Sequence, residues 1–236
     1  TAKKLTDTMP AHPAVLKSIV TTEMARAAAE KNGVECFDTF TGFKFLAEKI
    51  KQFEQDGSHE YIFAFEESYG YLCGDYARDK DAVTASMLIA EMAAYYRTQG
   101  KTLYDAMLGL YEKYGYYGEK TLNLVMPGLD GLKKMADLMA GLRQTPPTEI
   151  GGTKVAVCKD YQDGSAVDCA TGAKSTMELS GSNVLRYELA DGTSVIVRPS
   201  GTEPKVKVYI LAQGQDTADC QEKVERYAQW AESLKN

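Results

Sequence analysis

A short polar segment, Arg198–Lys207, carries side chains that suit a phosphate ligand, and its sequence is RPSGTEPKVK. A guanidinium makes two-pronged, charge-assisted contacts with phosphate oxygens, and hydroxyls donate hydrogen bonds to them. A glycine lets the backbone turn so that successive N–H groups face one anion. A polar hairpin turn without a ligand fits the composition equally well. The predicted phosphate ligands are Arg198, Ser200, Gly201 and Thr202, with Lys205 as a further cation.

A second candidate site follows an apolar strand, Tyr61–Phe65, where the sequence continues as FEESYG. Two carboxylates and a hydroxyl fall there in a tight turn. Carboxylates accept hydrogen bonds from neighbouring diol hydroxyls, and a serine donates or accepts, so Glu66 and Ser68 predict contacts with a sugar. A solvated acidic loop is the plainer alternative. An acid/base pair is a weaker one, because adjacent side chains point in different directions.

A third segment, Thr41–Lys44, reads TGFK and places the ammonium of Lys44 near the start of a predicted helix. On its own this segment indicates little. The helix that it opens has apolar residues at three- and four-residue steps, which is typical of a helix with one face against a core. Those residues are Phe43, Leu46, Ile50 and Phe53.

Strands alternate with helices through the first half of the chain, which predicts a mostly parallel sheet covered on both faces. The predicted strands are Val15–Val20, Val34–Phe37 and Tyr61–Phe65, and the last is apolar enough to be buried on both faces. Helices are predicted at Glu23–Lys31, from Thr41, at Asp81–Arg97 and from Thr102, with a polar loop at Glu66–Asp79. Ligands bind beyond the carboxyl ends of such strands. Three turns should therefore meet at one edge: Thr21–Thr22, Thr39–Lys44 and Glu66–Gly70.

The second half begins with a predicted strand, Thr121–Met126, and a predicted helix, Leu129–Leu142, whose apolar stripe includes Leu132. Two Asp-Gly turns then separate short strands, which predicts hairpins. Asp216 is placed to cap a last helix. Hairpin strands with a helix before and after them predict a smaller α+β domain with an antiparallel sheet. The Gly/Tyr segment Tyr114–Gly118 is the predicted hinge between the two halves.

The three polar segments together resemble motifs of the phosphoglucomutase/phosphomannomutase family, the α-D-phosphohexomutases. RPSGTEP is similar to the phosphate-binding loop of that family's last domain, FEESYG to its sugar-binding GEES-type loop, and TGFK to its Thr-Gly-aromatic-Lys turn. The resemblance covers nearly the whole chain. It implies the last two of four family domains: residues 1–117 as a three-layer α/β domain with a mostly parallel sheet, and residues 118–236 as a TATA-binding-protein-like α+β domain.

The resemblance also implies a reaction and a role for each candidate residue. Family members interconvert hexose 1-phosphate and hexose 6-phosphate through a phosphoserine and a bisphosphate intermediate. By this resemblance the Arg198 segment holds the phosphate that is not reacting, and Lys44 touches the same phosphate or the reacting side. Glu66 and Ser68 would grip the sugar's 3- and 4-hydroxyls. Glucose is favoured as the sugar, and mannose stays open.

Two loops on which the family's chemistry depends do not occur in this sequence. One is a serine loop of the Thr-x-Ser-His-Asn-Pro type, and the other is an Asp-x-Asp-x-Asp-Arg loop that holds Mg²⁺. We therefore expect no catalytic residue and no metal ligand in this chain. Mg²⁺ and glucose 1,6-bisphosphate are implied for the longer parent enzyme, and neither is expected on this fragment. Because the chain opens on Thr1 without Met, the two missing domains are expected to precede it as partners, and the fragment alone should be inactive.

Composition argues against several other classes of function. The net charge of −6 and the pI near 5.1 argue against a general nucleic-acid binder. No apolar run approaches the roughly 20 residues of a membrane span, so no membrane partner is expected. Five scattered cysteines without a CxxC indicate reduced thiols and a cytoplasmic protein. Two other functions stay open, a free-standing sugar-phosphate-binding or regulatory module and a structural scaffold with vestigial loops.

Overall fold

The structure is a computed structural model that describes residue 3 and residues 6–235. It divides into two compact units, 1–114 and 115–236. The division falls just before the boundary expected between residues 117 and 118. Most of the predicted Gly/Tyr hinge is regular structure, because a strand, β5, runs from Tyr116 to Val125. Among the described residues no helix is both long and apolar enough to cross a membrane.

The first unit alternates strands with helices around a four-stranded sheet. In chain order its elements are β1 (Pro13–Ser18), α1 (Met24–Glu30), β2 (Glu35–Thr39), α2 (Phe43–Asp56), β3 (Glu60–Glu66), β4 (Gly70–Leu72), α3 (Ala82–Thr98) and α4 (Leu103–Tyr114). The strand order is β2-β1-β3-β4. β1 pairs in parallel with β2 and β3, and β4 pairs antiparallel with β3. The predicted α/β class with a mostly parallel sheet is confirmed.

Helix α2 covers one face of this sheet as its sequence pattern predicts. All four apolar residues of the stripe are buried and belong to one core cluster with Ala14, Leu16 and Ala64 of the strands. On the opposite face, Ala29 of α1 packs with Val34 and Cys36.

The second face of the sheet is covered less completely than the sequence predicts. In β3 only Ala64 and Glu66 are buried, while Phe63 and Phe65 are half-buried, so the expectation of a strand buried on both faces is wrong. Helix α3 has no buried side chain, and Val83 is 81% exposed. The apolar residues of α3 are spread around the helix rather than gathered in one stripe, which leaves no single face to bury.

A short strand interrupts the predicted polar loop at Glu66–Asp79. β4 pairs with the end of β3, with Glu66 opposite Gly70. Three residues are too few to show the alternation by which a strand is recognised in a sequence. The segment after β3 is therefore a hairpin, with the FEESYG residues at its turn.

The second unit is built on an eight-stranded sheet in which the described strands pair antiparallel. After β5 its elements are α5 (Gly131–Gln144), β6 (Glu149–Ile150), β7 (Thr153–Asp160), β8 (Ser165–Asp168), β9 (Lys174–Thr176), β10 (Leu185–Leu189), β11 (Ser194–Pro199), β12 (Lys205–Gly214) and α6 (Thr217–Ser233). The strand order is β5-β12-β11-β10-β7-β8-β9, and β6 pairs with β7. The predicted antiparallel sheet is confirmed, and the two Asp-Gly turns do join hairpins, with Gly164 and Gly192 at positive φ.

Helices α5 and α6 supply the apolar side chains that pack with this sheet. Tyr227 of α6 is fully buried, and Met139 of α5 lies in the same cluster. Asp216 accepts a hydrogen bond from the Asp219 N–H at 2.8 Å, so it caps α6 as predicted. Leu132 is 63% exposed, in contrast to the predicted stripe, because it lies in the first turn of α5 and the packed residues begin at Met135.

Candidate functional site

The FEESYG turn and the TGFK turn are joined by a hydrogen bond. The backbone N–H of Gly42, directly before α2, donates to a carboxylate oxygen of Glu66. Glu66 is 5% exposed, so this contact lies inside the unit. A buried carboxylate needs hydrogen-bond partners, and a backbone N–H at a helix start needs an acceptor, so each group satisfies the other.

The neighbouring carboxylate, Glu67, joins the same turn to the end of β1. The hydroxyls of Ser18 and Thr21 donate to one Glu67 oxygen at 3.1 and 3.0 Å, and the two hydroxyl oxygens are 2.9 Å apart. Both hydroxyl residues are buried. The predicted meeting of three turns at the carboxyl edge of the sheet is therefore confirmed for these contacts. The role of Glu67 is not predicted above, although two hydroxyl residues at the end of a buried strand were a usable signal.

A buried ion-pair network near this edge links β1 and β2 to the start of α1. The Lys17 ammonium is fully buried and lies 2.9 Å from an Asp38 oxygen and 3.2 Å from a Glu23 oxygen. It also donates to the Thr21 carbonyl at 3.1 Å. Arg26 pairs with the second Asp38 oxygen at 2.6 Å. A buried charge is tolerated only when it is paired and hydrogen-bonded, so these residues fix the turn that Thr21 belongs to.

The tip of the FEESYG turn faces solvent. Ser68 is exposed, and no hydrogen bond of its hydroxyl is found among the described residues. Tyr69 is 88% exposed and has φ of 63°, in the left-handed region that non-glycine residues rarely occupy. Gly70 has no room for a side chain, since a Cβ there would overlap the Phe43 ring. Residues held in such sparsely populated conformations gather at ligand-binding sites.

Lys44 is exposed in the first turn of α2, with its ammonium 4.7 Å from the centre of the Phe45 ring. The Thr41 hydroxyl beside it is buried and has no hydrogen-bond partner in the described part of the chain. A helix N-terminus carries a partial positive charge, so a lysine there finds no compensation from the helix itself. Lys44, the orphan hydroxyl and the helix end together suit an anion.

In the second unit the predicted phosphate segment forms the β11–β12 hairpin. Arg198 lies opposite Lys207 in the register of the two strands. Its guanidinium donates to the Tyr209 hydroxyl at 3.5 Å, and no carboxylate pairs with it within residues 6–235. A half-buried guanidinium that lacks an anionic partner is ready to bind one.

The loop between these strands is closed by the Ser200 side chain. Its oxygen accepts hydrogen bonds from the backbone N–H groups of Thr202 and Glu203, both at 3.3 Å. The Ser200 hydroxyl proton is then the group left to donate to a ligand. Gly201 has no positive φ, and a Cβ added to it would meet open space. The structure therefore shows Gly201 as an exposed position without a side chain and without a positive φ, and its predicted part in a phosphate site stays a prediction.

The two lysines after the loop differ in their partners. Lys205 forms an ion pair with Glu203, and this contact lowers the pKa of the Glu203 carboxyl below its usual value. Lys207 has no ion pair with any residue that the structure describes. An anion at Lys205 would therefore compete with Glu203 for the ammonium.

Mg²⁺ finds no suitable set of ligands in the part of the chain that the structure describes. Among the described residues there is no group of three or more His, Cys, Asp or Glu side chains that could hold a metal ion. We therefore assign no chemical step to a metal held by these residues.

Two models of known protein domains match the chain. Residues 1–114 match the alpha/beta/alpha domain III of phosphoglucomutase/phosphomannomutase, and residues 124–227 match its C-terminal domain. The chain belongs to the phosphoglucomutase/phosphomannomutase family. The resemblance of the three polar motifs to this family is thus confirmed.

The relatives of this family member are longer than the chain. The phosphoglucomutase of Staphylococcus aureus strain MRSA252 is 38% identical over 213 residues, which is 90% of this chain and 38% of that protein. Phosphoglucomutase of strain USA300 is 37% identical over the same share of both chains. The chain therefore spans 38% of the length of these curated relatives.

Solved structures of phosphohexomutases share the fold. The open form of pp63/parafusin, a phosphoglucomutase from Paramecium, matches with a TM-score of 0.62 and 21% identity over 94% of this chain and 36% of that one. A phosphoglucomutase/phosphomannomutase family protein from Burkholderia thailandensis matches with a TM-score of 0.57 and 14% identity over 99% of this chain and 40% of that one. At these identities the likeness supports the architecture alone.

Proposed function

We propose that this chain is the substrate-binding part of a phosphohexomutase that interconverts hexose 1-phosphate and hexose 6-phosphate. The observation that carries the proposal is the Arg198 guanidinium, which has no carboxylate partner among the described residues and precedes Ser200 by two residues in the loop. Family membership makes a sugar phosphate the natural ligand for such a loop. The reaction is an intramolecular phosphoryl transfer, and the parent enzyme is an isomerase. We place it in the cytoplasm, where five free thiols stay reduced.

The β11–β12 loop would bind the phosphate that does not react. Arg198 would contact two phosphate oxygens, and the hydroxyls of Ser200 and Thr202 would donate to the same group. The absence of a side chain at Gly201 would let the phosphate approach the backbone. Lys205 would join by exchanging Glu203 for the phosphate.

The first unit would supply the contacts to the sugar. Ser68 is exposed with its hydroxyl available, and Glu66 lies two residues before it with its carboxylate directed to the TGFK turn. We propose that these two residues contact the 3- and 4-hydroxyls, which look alike whichever way round the sugar binds. Lys44 would contact a phosphate group. Glucose is the favoured sugar, because TGFK and FEESYG are similar to the glucose-preferring branch of the family.

The chain's own contribution to the reaction would be binding and orientation. Phosphoryl transfer depends on positioning and on stabilisation of charge rather than on covalent steps by the protein. When bound to the parent enzyme, Mg²⁺ would neutralise charge on the transferred group. The phosphoserine and Mg²⁺ loops of the family do not occur in this sequence, so the chain alone should not turn over.

The test is a titration of the purified chain with glucose 1,6-bisphosphate, followed by thermal unfolding. A ligand at 100 times its Kd stabilises a fold by about 2.7 kcal/mol, which is a measurable rise in Tm. Arg198→Gln should abolish the rise, and Arg97→Gln, an exposed arginine of α3, should keep it. An equal rise in the Arg198→Gln variant would contradict the proposed phosphate site.

A coupled assay tests the second part of the proposal. The chain alone should form no glucose 6-phosphate from glucose 1-phosphate, and formation of product that tracks the purified chain would refute its role as a binding part only. Parallel titrations with glucose 1-phosphate and mannose 1-phosphate would decide the sugar preference.

A further inference from the structure

Two cysteines lie close together on one hairpin of the second unit's sheet. Cys158 lies in β7, and Cys169 follows directly after β8, the partner strand of the same hairpin. Their sulfur atoms are 3.4 Å apart, and both are free thiols. The backbone N–H of Cys169 donates to the Ala156 carbonyl at 2.8 Å, which extends the pairing of the strands to this residue. Neither thiol belongs to the proposed sugar-phosphate site.

The two thiols have different surroundings. Cys169 is exposed, whereas Cys158 is half-buried. Burial raises the pKa of the Cys158 thiol, and the neighbouring Cys169 sulfur raises it further. Cys158 is therefore protonated at neutral pH. A thiolate is the reactive form of cysteine, so Cys169 is the one placed to meet an oxidant from solvent.

The remaining cysteines are not arranged in this way. Cys36 and Cys220 are buried, and burial raises the pKa of the Cys36 thiol to about 11. The Cys73 sulfur lies 3.7 Å from the Ile62 carbonyl oxygen. Among the described residues, the Cys158–Cys169 contact is the one sulfur–sulfur hydrogen-bond contact present.

We propose that Cys158 and Cys169 form a redox-modification site, at which a hydroperoxide converts the two thiols into an intrachain disulfide. The juxtaposed sulfurs on adjacent strands carry this inference. A disulfide bond is about 2.05 Å long, so the sulfurs must approach each other by roughly a further 1.4 Å.

The reaction balances in two steps. The Cys169 thiolate attacks one oxygen of the hydroperoxide, whose O–O bond breaks, giving a sulfenic acid at Cys169 and, after uptake of a proton, an alcohol or water. The Cys158 sulfur then attacks the sulfenic sulfur, and its proton leaves with the displaced hydroxide as water. The two thiols lose two electrons in total, and the hydroperoxide gains them.

The disulfide would protect the exposed thiol and leave the phosphate loop unchanged. Sulfenic acid that meets no second thiol goes on to irreversible sulfinic acid, and Cys158 prevents this by resolving it. In the sheet, β10 lies between β7 and β11, which carries Arg198. The inference is therefore independent of the proposed function.

The test treats the folded chain with hydrogen peroxide and maps its peptides without reduction. Trypsin cuts after Lys154, Lys159 and Lys174, so the two cysteines fall in separate peptides, 155–159 and 160–174. The expected result is one joined peptide pair, which separates after reduction. Cys73→Ser is the matched control and should still give the joined pair. Arg198→Gln should also give it, which keeps this test separate from that of the phosphate site.

A second variant tests for the sulfenic acid intermediate at Cys169. In Cys158→Ser the sulfenic acid at Cys169 has no resolving thiol, so its labelling by dimedone should rise several-fold over wild type. The inference is overturned if peroxide yields no joined pair, if Cys169 joins another cysteine or another chain instead, or if dimedone labels Cys169 equally in both proteins.

Discussion

The Glu66 carboxylate accepts a hydrogen bond from the Gly42 backbone N–H, which connects the acidic turn after β3 to the start of α2. A change at Glu66 is therefore transmitted to the turn that presents Lys44. Any contact of Glu66 with a ligand has to coexist with this structural role.

The first prediction concerns that contact. Glu66→Ala should lower the free energy of unfolding by about 1–3 kcal/mol, because it leaves the partly buried Gly42 N–H without its acceptor. Glu66→Gln keeps an acceptor oxygen and should cost less. Glu60→Ala, an exposed residue at the start of β3, is the control and should change stability by no more than about 0.5 kcal/mol. Urea unfolding measures all three, and equal losses at positions 66 and 60 would show that the hydrogen bond contributes nothing.

The second prediction concerns the buried ammonium. Lys17→Met removes one member of the network and leaves the Asp38 and Glu23 carboxylates with Arg26 as their remaining cation. Breaking a buried pair costs about 3 kcal/mol or more, so the free energy of unfolding should fall by this amount. Lys154→Met, on the exposed side of β7, should be nearly neutral. A Lys17→Met protein as stable as wild type would show that the ion-pair network does not stabilise the fold.

The third prediction compares two glycines. Gly70→Ala should destabilise by about 1–3 kcal/mol, because its Cβ would overlap the Phe43 ring. Gly109→Ala in α4 meets open space and should stabilise by about 0.5–1 kcal/mol, since alanine favours a helix over glycine. Thermal unfolding of both variants tests the pair, and shifts of the same sign would contradict it.

The fourth prediction is a pH dependence. Asp81 caps α3, and hydrogen bonds from Thr84 and Tyr76 lower its pKa to about 2. The unfolded value is near 3.9, so the stability that this carboxylate contributes is complete above about pH 4 and is lost as the pH falls towards 2. The Tm difference between wild type and Asp81→Asn should therefore shrink over this range. A constant difference for Asp81→Asn would overturn the prediction.

Patterns that extend over a whole element were readable from the sequence. The stripe of α2 repeats over a 14-residue helix, and its burial follows from periodicity alone. The Asp-Gly turns dictate hairpins because their glycines adopt positive φ, as Gly164 and Gly192 do. Caps were equally local: Thr102 and Asp105 exchange hydrogen bonds at 2.8 and 3.1 Å across the start of α4.

Features that depend on contacts between distant residues were not readable. Lys17 lies in an apolar strand, and its partners become apparent only when α1 and β2 are folded around it. Glu67 and Thr21 are 46 residues apart, and no local pattern connects them. The exposure of α3 was missed for a similar reason, because an apolar composition gives no information about which surface, if any, a helix packs against.

The ion pair between Lys205 and Glu203 makes the β11–β12 loop carry its own competitor. An incoming anion competes for Lys205 with the carboxylate of Glu203 in the same loop. A doubly charged phosphate competes more effectively than a singly charged anion. The loop should thus discriminate against monoanions such as acetate or chloride, and its affinity should decline as the phosphate dianion takes up a proton and becomes a monoanion near pH 6.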